Sequence, residues 1–148
     1  QTSWFSQRLQ FETQTAVYTS AFYGGTSLDQ TTFGLVIVPS EGVGLQEAEA
    51  ALDKAIADFI DQGIDIEQLE RLKKQFRAAE IYAQDSVQGL ANAYGRALTS
   101  GLTLEDIRAW PDIVQSIQPD EILAAAREVF DERKSVTGWL LKAEETTQ

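Results

Sequence analysis

The chain of 148 residues contains no cysteine, no histidine and no methionine. Without cysteine it can form neither a disulfide nor a thiolate zinc site, and its redox compartment stays undetermined. Without histidine it lacks the residue most often used as a zinc ligand and as a general base near neutral pH. Ser-His, Cys-His and His-metal chemistry are therefore excluded from this chain taken alone. Because no Met precedes Gln1, we interpret the sequence as a processed or excised piece.

Positive charge is also scarce, since 12 Lys and Arg residues stand against 23 Asp and Glu residues and the formal net charge is −11. The basic residues are scattered, so the chain is not expected to bind nucleic acid, which requires clustered Lys and Arg against phosphates. No apolar stretch reaches the roughly 20 residues of a membrane-spanning helix, and we expect no membrane insertion. The length suits one compact domain. We place this domain at residues 1–142 and a polar tail at residues 143–148.

Two segments near the N-terminus predict β-strands. The stretch from Thr13 to Tyr23 is rich in β-branched and aromatic residues, and the stretch from Thr32 to Pro39 is almost continuously apolar. The continuous apolar run predicts burial on both faces of the second strand. A brief helix is predicted before them, over residues 3–11, and a last strand is predicted from Ser135 to Leu141.

Between these strands the apolar residues recur at the 3.6-residue spacing of helices. The predicted helix boundaries are Gly44 to Gly63, a start at Asp65, a cap at Asp85 or Ser86, a start at Thr103 with an interruption at Trp110-Pro111, and a start at Pro119. The order predicts an α+β fold: a two-layer sandwich with a mostly antiparallel sheet and helices packed on one face. Three strands are few for so many helices. We therefore expect that a first strand and helix are missing upstream of Gln1, or that another chain completes the sheet edge.

The residues by themselves point to no catalytic centre. Five acids cluster near one helix-helix turn, but their spacing matches no calcium loop and favours a solvated acidic surface. The Gly24-Gly25 pair lacks the lysine and spacing of a phosphate-binding loop, and a turn is the better interpretation. The clustered acids are Asp58, Asp61, Asp65, Glu67 and Glu70.

Several short sequence motifs follow one another along nearly the whole chain. They are TSWF at 2–5, AVYTSAFY at 16–23, SLD at 27–29, FGLVIVP at 33–39, the helix pair over 52–83, Tyr94-Gly95, IQPDEI at 117–122 before AAA at 124–126, and SVTGWLL at 135–141. In this order they resemble the C-terminal half of the zinc metallopeptidases of the pitrilysin and mitochondrial-processing-peptidase type. The resemblance implies helices packed on one face of a sheet, and halves used in pairs around a chamber that holds peptide.

In active members of that family, an H-x-x-E-H helix of the N-terminal half holds the zinc. The resemblance therefore implies a non-catalytic C-terminal domain without its own cofactor, with zinc in the absent N-terminal half or in a partner subunit of the same fold. Its ligand would be a peptide substrate, and a periplasmic location is suggested by the resemblance alone. Two alternatives stay open: a catalytically silent structural or partner subunit of this fold, and a free-standing acidic protein-interaction domain.

Family members often carry an Arg and a Tyr in this half that hold the substrate backbone. Aligning the quoted phrases puts Gln10 in the Arg position and Val17 in the Tyr position, which are departures from the family pattern. Arg8 and Tyr18 lie close enough in sequence to substitute for them. The candidate substrate contacts are therefore Arg8, Gln10, Val17 and Tyr18, and the chain has no candidate metal ligand set.

Overall fold

The computed structural model describes residues 3–141, so the tail predicted at 143–148 lies outside the described residues. The described part is a mixed α+β structure, which confirms the predicted class. Its elements are an N-terminal π-helix Ser6–Glu12, strands β1 (Ala16–Tyr23) and β2 (Phe33–Pro39), helices α1 (Leu45–Gln62), α2 (Ile66–Ala83), α3 (Val87–Thr99), α4 (Leu104–Ser116) and α5 (Pro119–Val129), and a 3-10 turn Glu132–Lys134.

The brief N-terminal helix predicted from the sequence is present. Residues 4 and 5 already have helical geometry, and the Ser6 backbone N–H donates to Ser3 Oγ at 3.2 Å, which makes Ser3 a helix cap. From Ser6 to Glu12 the helix has π geometry, and its last turn closes with a bond from the Thr13 N–H to the Arg8 carbonyl at 3.1 Å. Gln14 then turns the chain toward β1 with φ at 54°.

Strands β1 and β2 form an antiparallel hairpin, and the described part of the chain contains one two-stranded sheet. The register runs regularly from the pair Tyr23 with Phe33 to the pair Tyr18 with Val38, and it shifts between Tyr18 and Ala16. Ala16 pairs with Pro39, so Val17 is the extra residue of a β-bulge.

Helix ends follow the capping residues that the sequence offers. The Asp65 side chain accepts from the Gln68 N–H, and the Ser86 side chain accepts from the Gly89 N–H. Thr103 and Asp106 form a reciprocal capping box at the start of α4. Gly63 ends α1 with φ at 79°, a conformation in which a side chain would be strained.

Three expectations from the sequence were wrong. Residues 135–141 are not a strand, because no ladder partner lies beside them in residues 3–141. Trp110-Pro111 does not interrupt α4, which continues through Pro111 to Ser116. Strand β2 is not buried on both faces, since Phe33, Val36 and Val38 are exposed.

The core lies where the N-terminal helix, β1 and α1 meet. Leu9, Ala16 and Ala55 are buried against one another, and four partly buried side chains surround them: Phe5, Ile37, Ala51 and Leu52. The Trp4 indole N–H donates to the Ala55 carbonyl at 3.0 Å, and its ring lies 5.9 Å from that of Phe59. This small cluster fixes the position of the sheet against α1.

The accessible surface is large for the size of the chain. It measures 11451 Å² for 16.4 kDa, whereas a compact monomer of that mass exposes about 7,500 Å². An excess of about 2,500 Å² remains even when the residues outside 3–141 are counted as fully exposed chain, at about 1.45 Å² per dalton. Large apolar side chains on the sheet and on the helices contribute to this exposed surface, among them Phe22, Val36, Leu72 and Ile81.

Candidate functional site

The four candidate substrate contacts lie on the N-terminal helix and on the first residues of β1. Arg8 and Gln10 belong to the helix, while Val17 and Tyr18 belong to the bulged start of the strand. Their environments differ.

Gln10 is held between the helix and the strand. Its Nε2 lies 2.8 Å from Thr19 Oγ1 and 3.2 Å from Ser6 Oγ, and these two hydroxyls lie 3.2 Å from each other. Ser3 Oγ adds a bond of 3.0 Å to Ser6 Oγ. The side-chain amide of Gln10 therefore fastens the helix to β1, and its donor hydrogens point at hydroxyls of the same chain.

Arg8 is occupied by ion pairs. Its guanidinium donates to Glu12 at 2.8 Å and to Asp58 of α1 at 2.7 Å, and Lys54 Nζ lies 3.0 Å from the other oxygen of Asp58. The hydrogen bond from Arg8, supported by one from Lys54, lowers the pKa of the Asp58 carboxyl. The hydrogen bond from Arg8 likewise lowers the pKa of Glu12. Two of the five N–H donors of the guanidinium are bonded to these carboxylates, which hold the side chain toward Glu12 and α1.

The bulge at Val17 decides which side chains face the N-terminal helix. Ala16 packs on Leu9 and Thr19 bonds to Gln10, so both contact that helix. In a regular strand, residues three positions apart, such as Ala16 and Thr19, point to opposite faces. The extra residue Val17 places both of them on the same face. Val17 itself is 62% exposed.

Tyr18 belongs to the opposite face of the sheet. Because Thr19 faces the N-terminal helix, its neighbours Tyr18 and Ser20 point away from it. We call the face they share the outer sheet face, and its exposed apolar members are Tyr18, Phe22, Val36 and Val38. Phe22 lies directly over Gly34, the residue with which it pairs on β2 and whose missing side chain leaves room for the ring.

The structure therefore does not bring the four candidates together. Gln10 contacts the side of the sheet that faces the N-terminal helix, and Arg8 is paired with Asp58 of α1. Tyr18 lies on the opposite, outer sheet face. Sequence reasoning missed Ser6 and Thr19, which complete the Gln10 network. Ser6 and Gln10 share one helix face, but pairing them with Thr19 required knowledge of the bulge.

The acids that clustered in the sequence are mostly engaged locally. Asp58 is paired as above, Asp65 caps α2, Glu67 pairs with Arg71 at 3.8 Å and Glu70 pairs with Lys73 at 3.2 Å. Three of the five acids, Asp58, Glu67 and Glu70, therefore have a cation partner.

A second acidic group lies between α1 and the C-terminal segment. Trp139 Nε1 donates to Glu49 at 3.0 Å and ties the last described residues to α1. Burial, and then the charges of Glu49 and Glu132, raise the pKa of Asp53.

Within residues 3–141, no three His, Cys, Asp or Glu side chains are placed to hold a metal ion. In the same range, no helix has both the length and the hydropathy needed to cross a bilayer.

No protein-family model and no curated protein matches this chain.

Proposed function

We propose that the chain is the C-terminal, non-catalytic domain of a zinc metallopeptidase of the pitrilysin type, and that it forms one wall of the chamber holding the peptide. Zinc belongs in this proposal to an N-terminal half or a partner subunit of the same fold. The chain offers no histidine or cysteine for it, and residues 3–141 present no ligand cluster.

The outer sheet face is the observation that carries the proposal. β1 and β2 contain no charged residue, and Tyr18, Phe22, Val36 and Val38 are exposed on one side of them. The solvent-exposed face of an antiparallel sheet is ordinarily polar. An uncharged apolar face of this kind is typical of a surface that binds a partner or a peptide.

The positions of the N-terminal helix and α1 also support the proposed chamber wall. The N-terminal helix and α1 both pack on the hairpin and share the core of Leu9, Ala16 and Ala55. The contacts of Thr19 place the N-terminal helix on the side away from Tyr18. This leaves the outer sheet face open, as a chamber wall requires, and supports the two-layer arrangement that the proposal includes.

A catalytically silent subunit of the same fold is the second candidate. Gln10 stands where the resemblance expects a substrate-holding Arg, and its amide is bonded to Thr19 and Ser6. Arg8, the nearest substitute, is paired with Glu12 and Asp58. These contacts favour a structural role for Arg8 and Gln10 over the binding of substrate. The acidic interaction domain is less well supported, since its acids are largely paired.

The proposal is tested by metal analysis of the purified chain and by sequencing its gene upstream of Gln1. We expect less than stoichiometric zinc, no peptide cleavage by the chain alone, and an H-x-x-E-H motif in the same polypeptide or in that of a partner. Stoichiometric zinc in the isolated chain would contradict the proposal.

An outer-face variant of the complete enzyme separates the two candidates. Val36→Lys places a charge on the outer sheet face. It should raise the KM for peptides if that face lines a working chamber. The control Ile81→Lys changes an exposed side chain of α2, away from the sheet, and should leave the KM unchanged. A complete protein with neither zinc nor peptidase activity would indicate the silent subunit.

A further inference from the structure

After α5 the chain passes through a short turn into an exposed stretch without regular structure. The 3-10 turn Glu132–Lys134 is followed by residues 135–141, which belong to no helix or strand. Ser135 has an extended backbone, with φ at −100° and ψ at 156°. Val136 is 97% exposed and Leu140 is 94% exposed. The end of the described chain is therefore accessible along both its backbone and its side chains.

Few hydrogen bonds hold the backbone at this turn. The Lys134 N–H donates to the Asp131 carbonyl at 2.8 Å, and the Ser135 N–H donates to the Glu132 carbonyl at 3.2 Å. Ser135 Oγ adds a bond of 2.9 Å to the same carbonyl. A single 3-10 turn has poorer hydrogen-bond geometry than an α-helix. The chain can therefore open here without disturbing a neighbouring element.

Two adjacent basic residues lie in this turn. The Arg133 side chain is 88% exposed, and its guanidinium donates to Asp131 from Nε and from Nη2, each at 2.9 Å. Lys134 is exposed, and its ammonium has no hydrogen-bond partner within residues 3–141. All other basic residues of the described part lie inside the N-terminal helix or helices α1 to α5. Exposed basic side chains on irregular backbone are thus concentrated at one place.

We propose that the bond between Lys134 and Ser135 is a processing site for an endopeptidase that cleaves after basic residues. Such enzymes select the residue before the cleaved bond through a pocket that contains an acid. Exposed and weakly bonded backbone near the end of a domain is where proteolysis concentrates. The step is hydrolysis. The bond from the Lys134 carbonyl carbon to the Ser135 nitrogen breaks, and one water supplies a hydroxyl to the carbon and a proton to the nitrogen.

Helix α2 contains a second pair of adjacent basic residues, which serves as an internal comparison. Lys73 is 8% exposed, and its ammonium lies 3.2 Å from Glu70. Lys74 is exposed but belongs to the same helix. A helix must open locally before a peptidase can cleave it, and this opening breaks several backbone hydrogen bonds. The two pairs therefore share their composition and differ in the backbone that carries them.

Cleavage would release the chain from Ser135 onward. Within the described residues, the hydrogen bond that ties this part to the rest runs from Trp139 to Glu49 at 3.0 Å. The core of Leu9, Ala16 and Ala55 includes no residue after the turn. The larger product should therefore keep its fold, and α1 would lose the indole that covers Glu49. The inference does not depend on the peptidase proposal, because it concerns this turn and not the outer sheet face.

Limited digestion of the full chain with trypsin, followed by mass spectrometry, tests the site. Trypsin selects Lys and Arg before the cleaved bond. Among the bonds of residues 3–141, the one after Lys134 should be cleaved first. Its cleavage should be faster than that after Lys73 or Lys74 by a factor of about ten or more. Earlier cleavage within α2 would overturn the proposal.

Two variants assign the cleaved bond within the turn. Lys134→Gln should slow cleavage of the turn by a factor of about ten, because Arg133 is bound to Asp131 and enters the enzyme pocket less readily. The matched control Arg133→Gln keeps Lys134 and should still be cleaved after it. An equally fast cut after Arg133 in the Lys134→Gln chain would overturn the assignment of Lys134.

Ultrafiltration of a digest stopped after the first cut tests the release. The fragment that begins at Ser135 should pass a membrane that retains the larger product, and the retained product should keep its helical circular dichroism spectrum. A fragment that stays bound, or a retained product that loses this spectrum, would show that residues 135–141 are an integral part of the fold. Either result would overturn the proposed release.

Discussion

Arg8 Nη2 lies 2.7 Å from Asp58 Oδ2 and joins the N-terminal helix to α1 across 50 positions of sequence. Lys54 approaches the other oxygen of the same carboxylate at 3.0 Å. The hydrogen bond from Arg8 is the main reason that the pKa of Asp58 is lowered. A carboxyl whose pKa is lower in the folded state adds stability above its unfolded pKa, and this contribution is lost as the pH falls through the folded pKa.

Arg8→Gln should therefore make the stability of the protein depend less on pH in the acid range. In the wild type, the urea midpoint should fall as the pH drops below about 4, where Asp and Glu side chains begin to protonate. In the variant, Asp58 and Glu12 lose their main hydrogen-bond donor and this fall should be smaller. Arg71→Gln is the matched control, because the Arg71 pair with Glu67 is long, at 3.8 Å, and exposed. Equal profiles for the wild type and Arg8→Gln would show that the ion pair is not maintained in solution.

Gln10 and Thr19 should be coupled energetically. Gln10→Ala removes the bond to Thr19 Oγ1 at 2.8 Å and should cost about 1 kcal/mol of unfolding free energy. Thr19→Val removes the same bond from the other side. The double variant should therefore cost less than the two single variants together, by about 0.5–1.5 kcal/mol.

Urea denaturation of the four proteins measures this coupling. Gln7→Ala serves as a control, since Gln7 makes a single long contact of 3.4 Å to Glu12 at the exposed side of the same helix. Additive costs for Gln10→Ala and Thr19→Val would show that the two side chains do not interact, and a marked loss in Gln7→Ala would point to a general helix effect.

Local signals were sufficient to predict most of the helices. Gly44, Gly63, Asp65, Ser86, Thr103 and Pro119 mark helix ends in the sequence and in the structure, because capping depends on residues only a few positions away. The interruption at Pro111 was wrong because a proline removes one backbone bond from a helix without always ending it.

Features that depend on distant partners could not be predicted. Residues 135–141 have the composition of a strand, but a strand needs a ladder partner. They are instead joined to α1 by the hydrogen bond from Trp139 to Glu49. At the candidate site, strict alternation along the predicted strand would place Tyr18 on the same face as Ala16, which the structure contradicts. The bulge at Val17 sends Tyr18 to the outer sheet face, and composition alone does not specify a bulge.

Leu9 should be the most sensitive position of the core. Its side chain is 1% exposed and packs on Ala16 and Ala55, where the N-terminal helix, the sheet and α1 meet. Leu9→Ala would leave a cavity and should cost about 2–5 kcal/mol. Phe11→Ala, in the same helix but 62% exposed, should change stability by less than about 1 kcal/mol. Thermal unfolding monitored by circular dichroism distinguishes the two, and similar losses would contradict the assigned core.

Gln14 lies in a backbone conformation that favours glycine. Its φ is 54°, and the other described residues with positive φ are Gly42, Gly63 and Gly101. A side chain in the left-handed region costs about 1–2 kcal/mol, whereas glycine adopts it freely. Gln14→Gly should therefore stabilise the chain, by about 0.5–1 kcal/mol after the greater freedom of glycine in the unfolded state is subtracted.

The comparison with Gln14→Ala isolates the backbone contribution. Alanine loses the same polar side chain but keeps the Cβ atom, so this variant should not gain the stability that glycine gains. Chemical denaturation of the three proteins provides the measurement. If glycine and alanine change the unfolding free energy equally, the effect comes from the glutamine side chain. If glycine alone raises the unfolding free energy, the backbone at Gln14 is strained. This strain accompanies the sharp change of chain direction between the N-terminal helix and β1, which places Thr19 beside Gln10.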